Sequence, residues 1–302
     1  MKLSDYGTSG YGECTGIDYY NISLSDFDKK LYQLKDKIES QQIKHPTEFY
    51  QFLISLELPS FLRSALDCAY WDLFGKLENR SFSKLNNIEI NTLPESSITI
   101  SVAPIDTQLD KIAKSSWNKF KVKCSHFNEK EVQMLLQTGK SVALDANGSY
   151  TAEECNWLEN LEASKGFTYV EQPMKHGENN FRSLQSDKYP NWMADEDCQE
   201  NIDLKTLQPH YRSINIKLVK CGGLTPALAL IKEAKVLHFK IMIGCMTEST
   251  VGISAGAALV PLVDFVDLDG ANLISNDIAN GSKIELGRIL LSEKSGLGID
   301  II

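Results

Sequence analysis

The sequence has no surplus of positive charge, no CxxC pair, no histidines at ligand spacing and no apolar run long enough to span a bilayer. Each lack removes a class of function. With 31 Lys and Arg against 40 Asp and Glu, and a formal net charge of -9, no basic stripe is available to release counterions from a nucleic acid or an anionic membrane. The seven cysteines (Cys14, Cys68, Cys124, Cys155, Cys198, Cys221 and Cys245) are scattered and odd in number, which suits reduced thiols in the cytoplasm better than a disulfide framework. The five histidines give no zinc-like spacing. The most apolar stretch, "VGISAGAALVPLV" at 251–263, is short and broken by Gly, Ser and Pro, and no signal core follows Met1. These absences lead to the expectation of a cytoplasmic protein acting on a small molecule, with neither nucleic acid nor membrane as partner. They leave a homo-oligomer possible.

What is present is enough apolar chain, 42% of 302 residues, to bury a large core. Residues 5–14 read as a glycine-containing β-hairpin. Residues 25–44 and 59–77 read as amphipathic helices, the second with Leu62, Ala65, Leu66, Ala69 and Leu73 near helical spacing. This first third shows few residues that suggest chemistry. From about residue 97 the texture changes to short β runs alternating with helical ones: "SITISVA", "FKVKC", "VALDAN", "FTYVEQP", "NWMADE", "SINIKL", "KIMIGCM" and "VDFVDLDG". Between them Thr151 and Glu154 form a capping box, and Thr225 is expected to cap a helix with Pro226 in its first position. Eight such βα units predict parallel strands joined by right-handed crossovers and closed into an α/β barrel of the TIM type.

The ends of these runs are polar in a pattern. Lys123, Asp145, Glu171, Asp195, Lys217, Cys245 and Asp267 follow one another at gaps of 22, 26, 24, 22, 28 and 22 residues, about one βα unit each. Equivalent positions on successive strands converge at the C-terminal mouth of a barrel. Three carboxylates brought together there, Asp145, Glu171 and Asp195, repel one another unless a cation lies between them. Oxygen ligands without His or Cys favour Mg²⁺, with Mn²⁺ as the alternative. Lys123 and Lys217 then flank the metal from opposite sides. Lys217 is preferred to Lys220 because it ends its β run while Lys220 falls in the loop. Lysine beside a metal suggests proton abstraction next to a carboxylate, with Lys121, on the same strand face as Lys123, supplying positive charge that lowers its neighbour's pKa.

In order and interval, "KVK", "DAN", "EQP", "ADE", "NIKLVKCGG" and "DLDG" resemble the enolase superfamily, in its muconate-lactonizing subgroup. The resemblance implies a (β/α)7β TIM-like barrel over residues 96–284, an N-terminal α+β capping domain over 1–95 and a segment, 285–302, that returns towards the cap. It implies one Mg²⁺ on Asp145, Glu171 and Asp195, acid/base catalysis by Lys123 and Lys217, and a tuning role for Lys121. The D-x-D of Asp267 and Asp269 resembles the pair by which dipeptide epimerases hold a substrate α-ammonium group. A competing reading has the two residues cap the turn at Gly270. The "GCM" backbone, with Cys245 and Met246, is implied to help hold the substrate carboxylate. As a side chain Cys245 reads as a small buried residue, since no His partner is placed near it.

The implied activity is Mg²⁺-dependent inversion of the C-terminal residue of a dipeptide through an enediolate. The alternatives are o-succinylbenzoate synthesis or cycloisomerisation through the same intermediate, or a remnant without catalysis. The resemblance also implies a longer lead-in before "GYGE" and a longer loop after it than "TGIDYYN" provides. The expectation is therefore either that the chain continues upstream of Met1 or that its cap is shortened.

Overall fold

The computed structural model describes residues 1–42, 44–177 and 179–302. The chain opens with an antiparallel hairpin, β1 (Lys2–Asp5) and β2 (Thr8–Tyr11), turned by Tyr6 and Gly7, both at positive φ. That pair of left-handed residues is what a two-residue hairpin needs, and it starts the hairpin earlier than residues 5–14. Three helices follow: α1 (Leu24–Glu39), α2 (Pro46–Ser55) and α3 (Ser60–Leu77). The helix expected over 25–44 stops at Glu39. Helix α2, which the sequence reading passed over, starts with Pro46 in its first turn, a position where the missing N–H costs nothing.

Helix α3 is buried on nearly every side, because the hairpin and α2 cover one flank and the barrel covers the other. The short α4 (Phe82–Leu85) leads into the barrel. There the chain alternates β3 (Ile98–Ile100), α5 (Ile105–Lys114), β4 (Lys119–Lys123), α6 (Glu129–Leu136), β5 (Ser141–Asp145), α7 (Ala152–Asn160), β6 (Val170–Glu171), β7 (Trp192–Ala194), α8 (Leu204–Leu207), β8 (Ser213–Lys217), α9 (Leu218–Cys221), α10 (Leu224–Val236), β9 (Lys240–Gly244), α11 (Thr250–Ala257) and β10 (Phe265–Asp267). The eight strands β3 to β10 pair in sequence order, and every pairing is parallel. All eight β runs read from the sequence are strands.

The ring closes between β10 and β3 on a thin seam. Ser96 bridges Val266, and the Ser97 N–H donates to the Val266 carbonyl at 3.0 Å. Side chains complete the join. The Leu268 N–H donates to Ser96 Oγ at 2.9 Å, Ser97 Oγ donates to Asp267 at 2.7 Å, and the Thr99 N–H donates to Asp269 at 2.7 Å. Outward-facing Phe120, Val122, Leu144, Ile214, Ile216, Ile241 and Ile243 pack against the helices. Inward, Ala143, Tyr169, Met193 and Met242 fill the floor of the barrel below the polar mouth.

The capping box at Thr151 and Glu154 forms as expected at the start of α7. Helix α10 departs from expectation, since its N-cap is Gly223 rather than Thr225. The cap is supplied from outside, by Asp67 of α3. One Asp67 oxygen accepts the Thr225 N–H at 2.8 Å and the other accepts the Thr225 hydroxyl at 2.7 Å. Gly223 has φ +127°, and a Cβ there would lie 2.5 Å from the Asp67 carboxylate, so only glycine admits this contact. Downstream of the barrel, the Leu297 N–H donates to Asp72 at 2.8 Å and Lys76 Nζ donates to the Ile299 carbonyl at 2.7 Å, which brings the C-terminal segment onto α3.

Burial pushes the Asp67 carboxyl up to about 7 against the opposing pull of its bonds to Thr225. The unfolded chain releases that proton near pH 4. Between about pH 4 and 7 the folded protein therefore holds a proton that the unfolded chain has lost, and stability falls as pH rises through that window. Asp67→Asn cannot ionise, so it should gain on the native chain by on the order of 2 kcal/mol between pH 4 and pH 7.5, read from urea midpoints. A difference that stays constant with pH would contradict this assignment.

Candidate active site

Strand register puts the expected residues on one level. Lys123 pairs with Asp145 and Asp145 with Glu171; across the ring, Lys217 pairs with Gly244 and Gly244 with Asp267. Asp195 stands one residue beyond β7 and Cys245 one beyond β9, so the level residue on β9 is Gly244, not Cys245. A Cβ on Gly244 would come within 2.5 Å of Asn215 Oδ1. The glycine leaves room for an amide that donates to Glu171 Oε1 at 2.6 Å. Strands β4 and β8 are four places apart in a ring of eight, so Lys123 and Lys217 face each other across the mouth. Between them, on successive strands, come Asp145, Glu171 and Asp195.

Each carboxylate is buried and turned towards an ammonium. Lys123 Nζ lies 3.2 Å from Asp145 and donates to Asn147 Oδ1 at 3.1 Å. Lys217 Nζ donates to Asp195 Oδ2 at 2.8 Å. Lys121 crosses the floor of the mouth, 3.3 Å from Glu171, 3.9 Å from Asp145 and in direct contact with Asp267. Lys220, expected in a loop, belongs to α9; its buried ammonium contacts the Asp195 carboxylate and main-chain carbonyl. Gln172, at φ +36°, fastens the same corner by accepting the Asp195 N–H at 3.0 Å and the Asp197 N–H at 3.1 Å. Such a backbone conformation in a non-glycine residue persists only where its surroundings hold it.

The electrostatics of the buried lysines follow the carboxylates that face them. Burial disfavours the Lys121 and Lys217 ammonium ions, but the facing carboxylates outweigh it and both pKa values are raised. For Lys121 those carboxylates are Asp267, Glu171 and Asp145; for Lys217 they are Asp195 and Glu171. Lys121 does pull Lys217 down, but the carboxylates outweigh it. Asp195 is likewise buried, yet Lys217 and Lys220 hold it below the usual carboxylate range. Burial pushes Glu171 up to about 8, Lys121 pulls it down, and Asp145 and Asp195 push it up again.

Among the described residues no three Asp, Glu, His or Cys side chains are drawn into a closed ion shell, because lysine ammonium groups stand between the carboxylates. The donor chemistry nonetheless fits a hard divalent cation: three buried carboxylates on neighbouring strands, with Glu171 Oε2 accepting no hydrogen bond.

Asp267 and Asp269 lie at the seam. Asp267 ends β10, while Asp269 has already left the strand. Asp269 takes the Thr99 N–H instead of capping the turn with its side chain. Burial, then the Asp267 charge, pushes Asp269 up to about 6. The "GCM" amides are occupied: the Cys245 N–H donates to the Asp267 carbonyl at 3.1 Å and the Met246 N–H to Glu248 at 2.9 Å. Burial raises the Cys245 thiol well above its usual value.

Several site residues escaped the sequence reading. Glu196 follows Asp195 in "ADE", and burial, then Asp195, pushes it up to about 7. Glu248 is also pushed up to about 7 by burial. Gln172 stands inside the quoted "EQP", and Lys220 inside "KLVK". In the first third, burial first and then the Glu196 and Asp195 charges raise the Tyr19 and Tyr20 phenols, and no local signal marks this. Glu13 from the same region accepts the Ser249 and Gly252 N–H groups at 3.0 Å each, at the start of α11.

Residues 106–302 match the family described as Enolase C-terminal domain-like. The chain is 37% identical to the L-Ala-D/L-amino acid epimerase of Maribacter sp., over 98% of this chain and 89% of that protein. It is 32% identical to the L-Ala-D/L-Glu epimerase of Escherichia coli, over 96% and 90%. The crystal structure of a dipeptide epimerase from Methylococcus capsulatus complexed with Mg ion superposes with a TM-score of 0.90 at 26% identity, covering 100% of this chain and 93% of that one.

A cation that binds the folded carboxylates but not the unfolded chain stabilises by mass action. Mg²⁺ at about a hundred times its Kd should raise unfolding free energy by about 2.7 kcal/mol, and Glu171→Gln or Asp195→Asn should abolish most of that gain. Urea unfolding with and without Mg²⁺ checks this; an unmoved midpoint in the native chain would contradict the metal site.

Proposed function

This chain belongs to the enolase superfamily, among its epimerases, and from that premise we propose that it inverts the C-terminal α-carbon of a dipeptide with Lys123 and Lys217 as the two acid/base groups. The observation that carries the reading is their placement on opposite sides of one mouth, with the three carboxylates along the arc between them. A reaction that removes a proton from one face of a carbon and returns one to the other needs two such groups, one in each protonation state.

Asp145, Glu171 and Asp195 are the residues we assign to Mg²⁺. Once bound, that ion would neutralise the carboxylates that now raise the lysine pKa values and place positive charge beside the substrate carboxylate, making the adjacent α-proton more acidic. The remaining steps belong to the chain. One lysine, as the free amine, takes the α-proton; the substrate passes through an enediolate; the opposite lysine, as its ammonium, delivers a proton to the other face. Lys121 keeps its charge throughout, since three carboxylates surround it, and so orients Asp145 and Glu171. Lys220 and Gln172 hold Asp195 in place from behind.

Asp267 and Asp269 are assigned to the α-ammonium group. Burial and the neighbouring Asp267 charge disfavour the charged form of Asp269, so an incoming cation is well received there. Their bonds to Ser97, Thr99 and Lys121 tie that subsite to the closing seam of the barrel.

In D₂O with Mg²⁺, an L,L-dipeptide should exchange its C-terminal α-proton for deuterium and lose optical purity, and chelation by EDTA should stop both. NMR and polarimetry across acidic, neutral and basic dipeptides check this. No exchange with any of them would contradict the reading.

A further inference from the structure

Lys217 stands in the mouth, but what steadies the segment behind it comes from the capping region. The chain passes from β8 straight into α9, with Lys217 as the N-cap of that short helix and Gly222 as its C-cap. The Gly222 and Gly223 N–H groups both donate to the Leu218 carbonyl at 2.9 Å, and both glycines have positive φ, +99° and +127°. A turn built from two glycines has no side chains of its own to hold it, and each glycine is free to take other conformations.

Arg63 of α3 lies against that turn. A Cβ on Gly222 would come 3.0 Å from Arg63 Nε and 2.9 Å from the Tyr50 hydroxyl, so the missing side chain is what lets the guanidinium reach the backbone. The guanidinium is buried and fully engaged. Nε donates to the Tyr50 hydroxyl at 3.2 Å, Nη1 donates to the Leu58 carbonyl at 2.7 Å, and Nη2 contacts the Glu200 carboxylate. Tyr50 and Leu58 belong to the capping region, whereas Glu200 belongs to the loop that follows Asp195. One side chain thus touches the turn that ends the Lys217 segment and the loop that leaves Asp195.

Those two segments meet a second time inside the mouth, where Lys217 Nζ donates to Asp195 at 2.8 Å and Lys220 contacts the Asp195 carboxylate and carbonyl. Arg63 with Glu200 is the outer join of the same pair. Lys123 has no counterpart to it. Its ammonium is held by Asp145 and Asn147, both from the barrel, and among the described residues no side chain of the capping region bonds to residues 123–128. The capping region therefore grips one side of the mouth and leaves the other to the barrel alone.

We propose that Arg63, acting through Glu200 and the Gly222 turn, is a positioning residue for Lys217, so that the capping region sets the placement of one acid/base group and not of the other. This rests on the two-lysine reading above. Its consequence is asymmetry: a misplacement on the order of 1 Å can cost a reaction about a hundredfold, and a slack Lys217 loses that rate only on its own face of the α-carbon. A role confined to stability, or to the metal ligand Asp195, slows both faces alike.

The test uses the full chain with saturating Mg²⁺ and two variants. Glu200→Gln changes a side chain that is 31% exposed, and Arg63→Lys keeps the charge but loses the planar fork. Initial α-proton exchange in D₂O is followed by NMR for the L,L- and the L,D-form of one accepted dipeptide, and the diastereomer whose exchange Lys217→Met abolishes marks the Lys217 face. Each variant should slow exchange on that face at least tenfold and on the Lys123 face less than threefold, and the double variant should add little to either single one. Equal slowing on both faces, or slowing on neither, would overturn the proposal. Should no dipeptide exchange, the two-lysine reading fails on its own, and amide hydrogen exchange decides the clamp: the Gly222 and Gly223 N–H groups should exchange at least tenfold faster in Glu200→Gln while those of α7 stay unchanged. Unaltered protection at the two glycines would overturn it.

Discussion

Everything in this mouth depends on one electrostatic constraint: carboxylates gathered in a buried ring must be balanced by positive charge on the same ring. The chain answers by flanking the carboxylates with lysines. Lys123, Asp145, Glu171, Asp195 and Lys217 stand on five successive strands, Lys121 reaches across to Asp267, and Lys220 backs Asp195. Breaking one member of such a set leaves an uncompensated charge in a low-dielectric space, which costs more than the pair itself contributes. The same balance prepares the site for work. Carboxylates whose charged forms are strained accept a metal and an ammonium readily, and lysines held by those carboxylates are released when a cation takes their place.

The capping region helps complete the site. Helix α3 caps α10 through Asp67, and the short α9 that bears Lys220 directly follows Lys217 and packs against α3. The Arg63 contact with Glu200 fixes the loop that follows Asp195 and Glu196. Glu13 holds the start of α11, next to the loop that carries Cys245 and Met246. A displacement of α3 would therefore be felt by the residues assigned to base and metal before any substrate entered.

Much of this was legible in the sequence for a physical reason. Barrel strands repeat at a near-constant spacing, and side chains at equivalent places on those strands must meet, so intervals between Lys123, Asp145, Glu171, Asp195 and Lys217 carried three-dimensional information. The misses share a different cause. Asp67 capping α10 and Lys220 turning back onto Asp195 are both contacts set by tertiary packing, and local pattern does not encode them. The raised pKa values of Lys121 and Lys217 depend on the full set of carboxylates facing each ammonium, which only the closed barrel brings together. The placement of Asp269 beyond β10, bonded to Thr99, depends on how the barrel closes, which strand spacing leaves undetermined.

The central claim is that Lys123 and Lys217 serve opposite faces of the same carbon. Lys123→Met and Lys217→Met, each incubated in D₂O with the L,L- and the L,D-form of one accepted dipeptide, test it directly. The account predicts that both variants lose inversion and that each still exchanges the α-proton of one diastereomer only, with the two variants choosing opposite diastereomers. Inversion surviving in either variant, or both variants exchanging the same diastereomer, would contradict it.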